Sequence, residues 1–180
     1  MTYRPIVRFG DPVLTTPTEP VTSFGQDTRK LVRDLLDTVD APGHAGVAAT
    51  QIGVSQRVFS YNVEGTIGYL INPSIVELSE DTQDGEEGCL SIPGLYFPTV
   101  RAQHAVARGV DLDNEPVTLE GSGLMARCLQ HEIDHLDGML YVSRLERELR
   151  RTAMRQIRQS EWFLPDQEPV KGGLPSAFGG

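Results

Sequence analysis

The sequence predicts an α+β domain: antiparallel or mixed β-sheets packed around a central helix bearing an HExxH motif, with one further helix N-terminal and one C-terminal to it. Two observations carry this. Apolar residues recur at helical spacing before residue 40 and again beyond 123, whereas the intervening stretch holds short runs rich in β-branched and aromatic residues. Helix, strands and helices thus come in blocks, unlike alternating βαβ units.

The first helix is read over Asp27 to Val39, where Leu31, Val32, Leu35, Leu36 and Val39 form one apolar stripe and Ala41-Pro42-Gly43 ends it. Strands are expected at Arg57–Tyr61, Tyr69–Ile71, Ser74–Leu78, His104–Arg108 and Pro116–Leu119, with Asp113-Asn114 as a hairpin turn between the last two. Helix returns near Gly123 and runs to about Asp137, with Ser122 as N-cap and Gly138 as C-cap. A last helix opens at Ser143, where Ser143 and Glu146 have capping-box spacing, and buries Leu145, Leu149, Ala153 and Ile157. One catalytic domain is expected over residues 1–164. The tail, 165–180, carries three prolines and four glycines and is read as extended or mobile.

Composition excludes several classes. At 180 residues, 39% hydrophobic and 23% charged, the chain is neither disordered nor fibrous. Its net charge of -9 disfavours wrapping nucleic acid. No apolar run approaches the roughly 18 residues needed to span a bilayer. The opening segment reads as neither signal core nor transit peptide, so a cytoplasmic protein is expected, and a monomer by default. With two cysteines, Cys89 and Cys128, a disulfide is disfavoured, and each thiol needs an account from packing or chemistry.

The sharpest chemical signal is His131-Glu-Ile-Asp-His135. On a helix, positions i and i+4 share a face, so both imidazoles can reach one metal ion, and Glu132 can take the proton of a water on that ion. Chance gives such a match in only about 0.6% of chains of this composition. A third ligand is required. The metzincin continuation would put a histidine where Tyr141 stands, and the gluzincin pattern leaves Glu161, which has no supporting motif. Both readings as a zinc endopeptidase are therefore disfavoured. Cys128 lies on the same helix face but too far back along it, and reads as a buried small residue. His44 and His104 are more economically surface positions. Cys89, inside Glu86-Glu-Gly-Cys-Leu-Ser91, would complete a Cys-His-His set with a fourth position open, the arrangement of a catalytic metal.

Glu87-Gly-Cys-Leu-Ser91 followed by Gln130-His-Glu-Ile-Asp-His-Leu-Asp-Gly138 resembles the paired motifs of the peptide deformylases. A third motif of that family, GxGxAAxQ, resembles His44-Ala-Gly-Val-Ala-Ala-Thr-Gln51, with His44 in place of the first glycine. The opening Ile6–Leu14 is also similar to the family's N-terminus. The resemblance implies a hydrolase that removes the formyl group from the N-terminal formylmethionine of nascent polypeptides. It further implies Cys89, His131 and His135 as metal ligands, Glu132 as general base and acid, and Gln51 with the Leu90 amide as oxyanion donors. Gly46 would bind the peptide, and Ala45 and Cys128 would line the pocket for its side chain. Fe²⁺ is the implied metal, with Zn²⁺, Ni²⁺ or Co²⁺ as substitutes; spacing alone equally allows Zn²⁺. The substituted glycine raises the question of how His44 shapes the substrate entrance.

Six of the chain's 16 basic residues (Arg144, Arg147, Arg150, Arg151, Arg155 and Arg158) fall on the last predicted helix. A solvated helix face accounts for them. Docking on ribosomal RNA, as the deformylase resemblance suggests, is the functional expectation. A binding module with a purely structural metal is the alternative from another class, and Glu132 argues against it, because a structural site needs no carboxylate beside its ligands.

Overall fold

The computed structural model describes residues 3–163. The expected boundary between domain and tail therefore lies outside the described residues. Among the described residues, three helices, α1 (Gln26–Val39), α2 (Leu124–Leu136) and α3 (Arg147–Gln159), accompany nine strands. These are β1 (Gly46–Ala48), β2 (Val58–Val63), β3 (Thr66–Leu78), β4 (Thr82–Gln83), β5 (Glu86–Cys89), β6 (Ile92–Pro98), β7 (Arg101–Ala102), β8 (His104–Val110) and β9 (Pro116–Ser122).

Five strands form one antiparallel sheet in the order β1-β2-β3-β8-β9, and β4–β7 and β5–β6 form two small antiparallel pairs. Alternation along β2 and β3 splits the side chains between two helices. Val58 and Ile71 pack in the cluster that holds Leu31, Val32, Leu35 and Val39 of α1. Phe59, Tyr61, Val63 and Leu70 pack instead with Ala126, Leu129, Ile133 and Leu136 of α2. The sheet is thus a middle layer buried on both faces at β2. Each fully buried Leu contributes about 1.5–3 kcal/mol relative to exposure. A third cluster joins Leu14, Cys89, Ile92 and Phe97 to Tyr141, Leu145, Ala153 and Ile157, seating α3 on β6.

Helix α2 is central as expected: it packs against β1, β2, β3, β8 and β9, and every residue from Ala126 to Leu136 is buried. Six of those are polar or charged (Arg127, Gln130, His131, Glu132, Asp134 and His135), so the helix must find partners for them inside the protein.

Some boundaries differ from the sequence reading. The two strands expected at Tyr69–Ile71 and Ser74–Leu78 are one strand, β3, carried through Pro73 by a register shift between Ile71 and Ser74. Asn72 takes a positive φ of 51° there and closes the irregularity by pairing its side-chain amide with the backbone of Val21 at 2.8 and 2.9 Å. Ser122 ends β9 and does not cap α2; the N-cap is Gly123. Gly138 stands one residue past the C-cap, Asp137, with φ 74°.

The last helix begins at Arg147, not Ser143. Ser143 closes a 3₁₀ turn, Leu145 is buried in the third cluster, and Arg144 is drawn to Asp134, so the chain is held out of helix until Glu146. Strands β1, β4, β5, β6 and β7 have no counterpart among the expected strands.

Candidate metal centre

Two local structures bring the candidate ligands together. His131 and His135 lie one helical turn apart on α2, their rings 4.9 Å between centroids. Cys89 ends β5, where a register shift between Gly88 and Cys89 leads into the tight turn at Leu90 and Ser91. The Cys89 Sγ stands 3.2 Å from His135 Nε2, and one ligand atom from each of Cys89, His131 and His135 lies within 4.8 Å of the others. Among the described residues these three are the group of His, Cys, Asp and Glu side chains that could hold a metal ion, and all are buried.

Other candidates fall away. Tyr141 is buried beside His131, but its hydroxyl donates to the Leu95 carbonyl at 3.0 Å. Glu161 is exposed in a short turn, and His104 Nδ1 lies 3.0 Å from Ser122 Oγ. His44 is not a surface residue: it is buried, with Nδ1 2.7 Å from the Thr38 carbonyl at the end of α1. Its ring therefore ties the start of β1 to α1.

A shell of charge surrounds the centre that the sequence reading did not assign. Glu87 Oε1 lies 2.7 Å from His131 Nδ1 and accepts from Arg101 Nη2 at 2.6 Å. Its Oε2 accepts from Arg127 Nη1 at 2.7 Å and Arg101 Nε at 3.0 Å. Arg101 Nη1 donates to Asp134 at 2.7 Å, and Arg144 holds the same carboxylate. Burial alone would raise the Glu87 pKa, but the hydrogen bonds and charges of His131 and Arg101 hold it far below the usual carboxylate range. His131 is pulled the other way: burial lowers it, yet Cys89 and Glu87 together raise it well above a free imidazole. The only sequence signal for this shell was Glu87's place beside Gly88-Cys89.

Glu132 faces Gly46 across the gap between α2 and edge strand β1. A Cβ at Gly46 would overlap the Glu132 carboxylate, so glycine is required for that approach. Glu132 Oε2 is buried with no hydrogen-bond partner, and burial, chiefly, raises its pKa to about 7. Gln51 folds back on its own turn: Oε1 accepts from the Ala48 N–H at 2.9 Å, which aims Nε2 at Cys89 Sγ (3.6 Å) and Ser91 Oγ (3.3 Å). Ala45, Gly46, Leu124, Cys128, His131 and Glu132 line one narrow cavity beside the cluster. The Cys128 thiol donates to the Ala45 carbonyl at 3.4 Å, and burial, first, raises its pKa well above a free thiol. A cysteine sulfur, two imidazoles and a carboxylate with one oxygen unpartnered, gathered at one buried point, fit a divalent transition metal with a position left for water.

A sequence profile described as polypeptide deformylase matches residues 3–151 of the chain. The chain belongs to the polypeptide deformylase family. A peptide deformylase of Acidothermus cellulolyticus is 60% identical over 163 residues, covering 90% of this chain and 89% of that protein. Among solved structures, a peptide deformylase from Thermus thermophilus superposes with a TM-score of 0.81 at 39% identity, over 87% of this chain and 93% of that one. Another from Ehrlichia chaffeensis, in complex with actinonin, gives 0.81 at 35% identity, over 89% and 99%. Membership in this family makes the chain a metal-dependent hydrolase of protein synthesis, on the same α+β architecture as these structures.

Proposed function

We infer that this protein hydrolyses the formyl group from the N-terminal formylmethionine of newly made polypeptides, with Cys89, His131 and His135 as the metal ligands. The observation that carries the reading is the convergence of those three buried ligand atoms within 4.8 Å, beside a buried carboxylate oxygen that has no partner. A bound divalent metal supplies Lewis acidity and lowers the pKa of water toward neutrality.

The chain's own residues do the rest. Glu132, desolvated and poised near neutral pH, takes a proton from the attacking water as its oxygen adds to the formyl carbon. Negative charge gathers on the formyl oxygen, toward which Gln51 Nε2 and the Leu90 N–H donate. The carbon–nitrogen bond then breaks, and Glu132 returns the proton to the leaving amine, giving formate and a free N-terminus. Gly46, on the open edge of β1, binds the peptide backbone as an added strand. Ala45 and Cys128 line the cavity that takes the methionine side chain.

Fe²⁺ is the proposed metal in the cell. A thiolate donor softens the site and suits Fe²⁺ as well as Zn²⁺, Ni²⁺ or Co²⁺, so activity lost in air and restored by Ni²⁺ is the expected signature. The reading also takes the protein as a cytoplasmic monomer. No helix among the described residues is long and apolar enough to cross a membrane.

Ribosome docking through α3 is the finer proposal for partners. Arg147, Arg150, Arg151, Arg155 and Arg158 are exposed on it, whereas Arg144 is already engaged with Asp134. Four of them, with Leu145 and Met154, line a groove of about 490 Å³ suited to phosphate. Formate release from a formyl-Met tripeptide tests the central reading; cleavage of an unformylated internal peptide bond would replace it with the endopeptidase one.

A further inference from the structure

Strand β1 has only three residues, Gly46–Ala48, and pairs with a single neighbour, β2. Its register is Gly46 with Tyr61, Val47 with Ser60 and Ala48 with Phe59. The Asn62 N–H donates to the Ala45 carbonyl at 2.8 Å, so Ala45 and Val47 turn their backbone groups toward β2. Those of Gly46 and Ala48 therefore point to the open edge. A strand this short depends on its ends as much as on its ladder.

The two ends are tied differently. At the C-terminal end, Gln51 Oε1 accepts from the Ala48 N–H at 2.9 Å. At the N-terminal end the tie is His44. Its backbone N–H donates to the Ala41 carbonyl at 3.2 Å, and its ring Nδ1 reaches the Thr38 carbonyl at 2.7 Å. A carbonyl only accepts, so Nδ1 carries the proton. Burial lowers the His44 pKa, which leaves the ring neutral at pH 7 with that proton in place.

Thr38 is itself fixed. It is fully buried in the last turn of α1, where its hydroxyl donates to the Asp34 carbonyl at 2.6 Å and accepts from the Arg4 N–H at 3.2 Å. His44 does not have a positive φ, so the position makes no demand for glycine. Glycine there would keep the backbone bond to Ala41 and lose the bond from the ring to α1. Two residues on, Gly46 sits against the Glu132 carboxylate so closely that a Cβ would overlap it. Slack at this end of β1 moves the open edge, whereas Glu132 and the three residues of the metal centre are carried by α2 and β5.

We propose that His44 is a positioning residue for the peptide: its ring, held by Thr38 of α1, fixes the Gly46 backbone groups where an added strand meets them beside Glu132. This rests on the deformylase reading, in which the formyl peptide pairs with that edge. The test compares wild type, His44→Gly and His44→Asn, each loaded with Ni²⁺. Formate release from a formyl-Met tripeptide is measured, along with hydrogen exchange of the Val47 amide, which faces β2. His44→Gly should raise KM about tenfold while kcat stays within about twofold and metal content is unchanged, since one hydrogen bond is lost and no reacting group moves. Its Val47 amide should exchange about tenfold faster, because the strand end opens more often. Asparagine carries its side-chain nitrogen as many bonds from Cβ as Nδ1, so His44→Asn should restore both KM and exchange. An unchanged KM in His44→Gly overturns the proposal. So does a fall in kcat with KM intact, or a His44→Asn variant no better than His44→Gly. If the wild type releases no formate, the deformylase reading fails; the Val47 amide still tests the tie, and equal exchange in all three proteins overturns it.

Discussion

His131 presents Nδ1 to Glu87 Oε1 at 2.7 Å, which leaves Nε2 as the nitrogen free to face Cys89 and His135. The carboxylate fixes the ring orientation. Arg101 and Arg127 hold that carboxylate in turn, so the geometry of the imidazole proposed as a ligand depends on residues 14 and 40 positions away from Glu87.

Replacing Glu87 with Gln should therefore weaken metal binding about 10–100-fold without changing any ligand. Competition against a chromophoric chelator measures it, with circular dichroism to confirm the fold. Wild-type metal affinity in a folded variant would remove Glu87 from this role.

Gly46→Ala places a methyl group into the Glu132 carboxylate. Metal content should stay at the wild-type level while formate release falls about 100-fold, because the carboxylate is displaced from the reacting water. Full activity in the variant would mean that Glu132 works from another position.

Burial raises Glu132 from the ordinary 4.5 to about 7 in the metal-free protein. Below about pH 4.5 the group is protonated folded or unfolded and has no effect on stability. Between 4.5 and 7 the folded state binds more protons than the unfolded one, so stability falls as pH rises through that window. Metal-free Glu132→Gln should thus be more stable than wild type above pH 7, by about 3 kcal/mol at most, and equal to it near pH 4. Thermal melts at the two pH values measure the difference; a gap that does not change with pH contradicts the assignment.

Charge reversal at Arg147, Arg150 and Arg151 should abolish ribosome co-sedimentation and leave hydrolysis of free formyl peptides unchanged, since none of the three touches the metal centre. Binding by the wild type should weaken steeply as salt is raised. Undiminished sedimentation of the variant would return α3 to the role of a solvated surface.

The sequence shows what is contiguous in it. HExxH carries its geometry on one helical turn, the α1 stripe is a local period, and Asp113-Asn114 turns where β8 meets β9, with Asn114 at a φ of 60°. Cys89 was reached through Glu87-Gly-Cys-Leu-Ser91, although the strand that carries it, Glu86-Glu-Gly-Cys, is too short and polar to show strand periodicity. The Glu87–Arg101–Asp134–Arg144 chain was invisible for a different reason. Each charge alone reads as surface, and only the folded sheet and α2 bury Glu87, Arg101 and Asp134 together, with Arg144 closing the network from its exposed edge. Likewise, Asn72-Pro73 reads as a strand break, and the tertiary bond from Asn72 to Val21 is what carries β3 through it.

In the proposed mechanism, Glu132 moves the proton at a centre held by Cys89, His131 and His135. Formate release from a formyl-Met tripeptide by Glu132→Gln, with metal content assayed on the same anaerobic preparation, tests it most directly. The variant should keep one metal per chain and lose about 10²–10⁴-fold in rate. Wild-type rates with the metal in place would take the proton transfer away from Glu132.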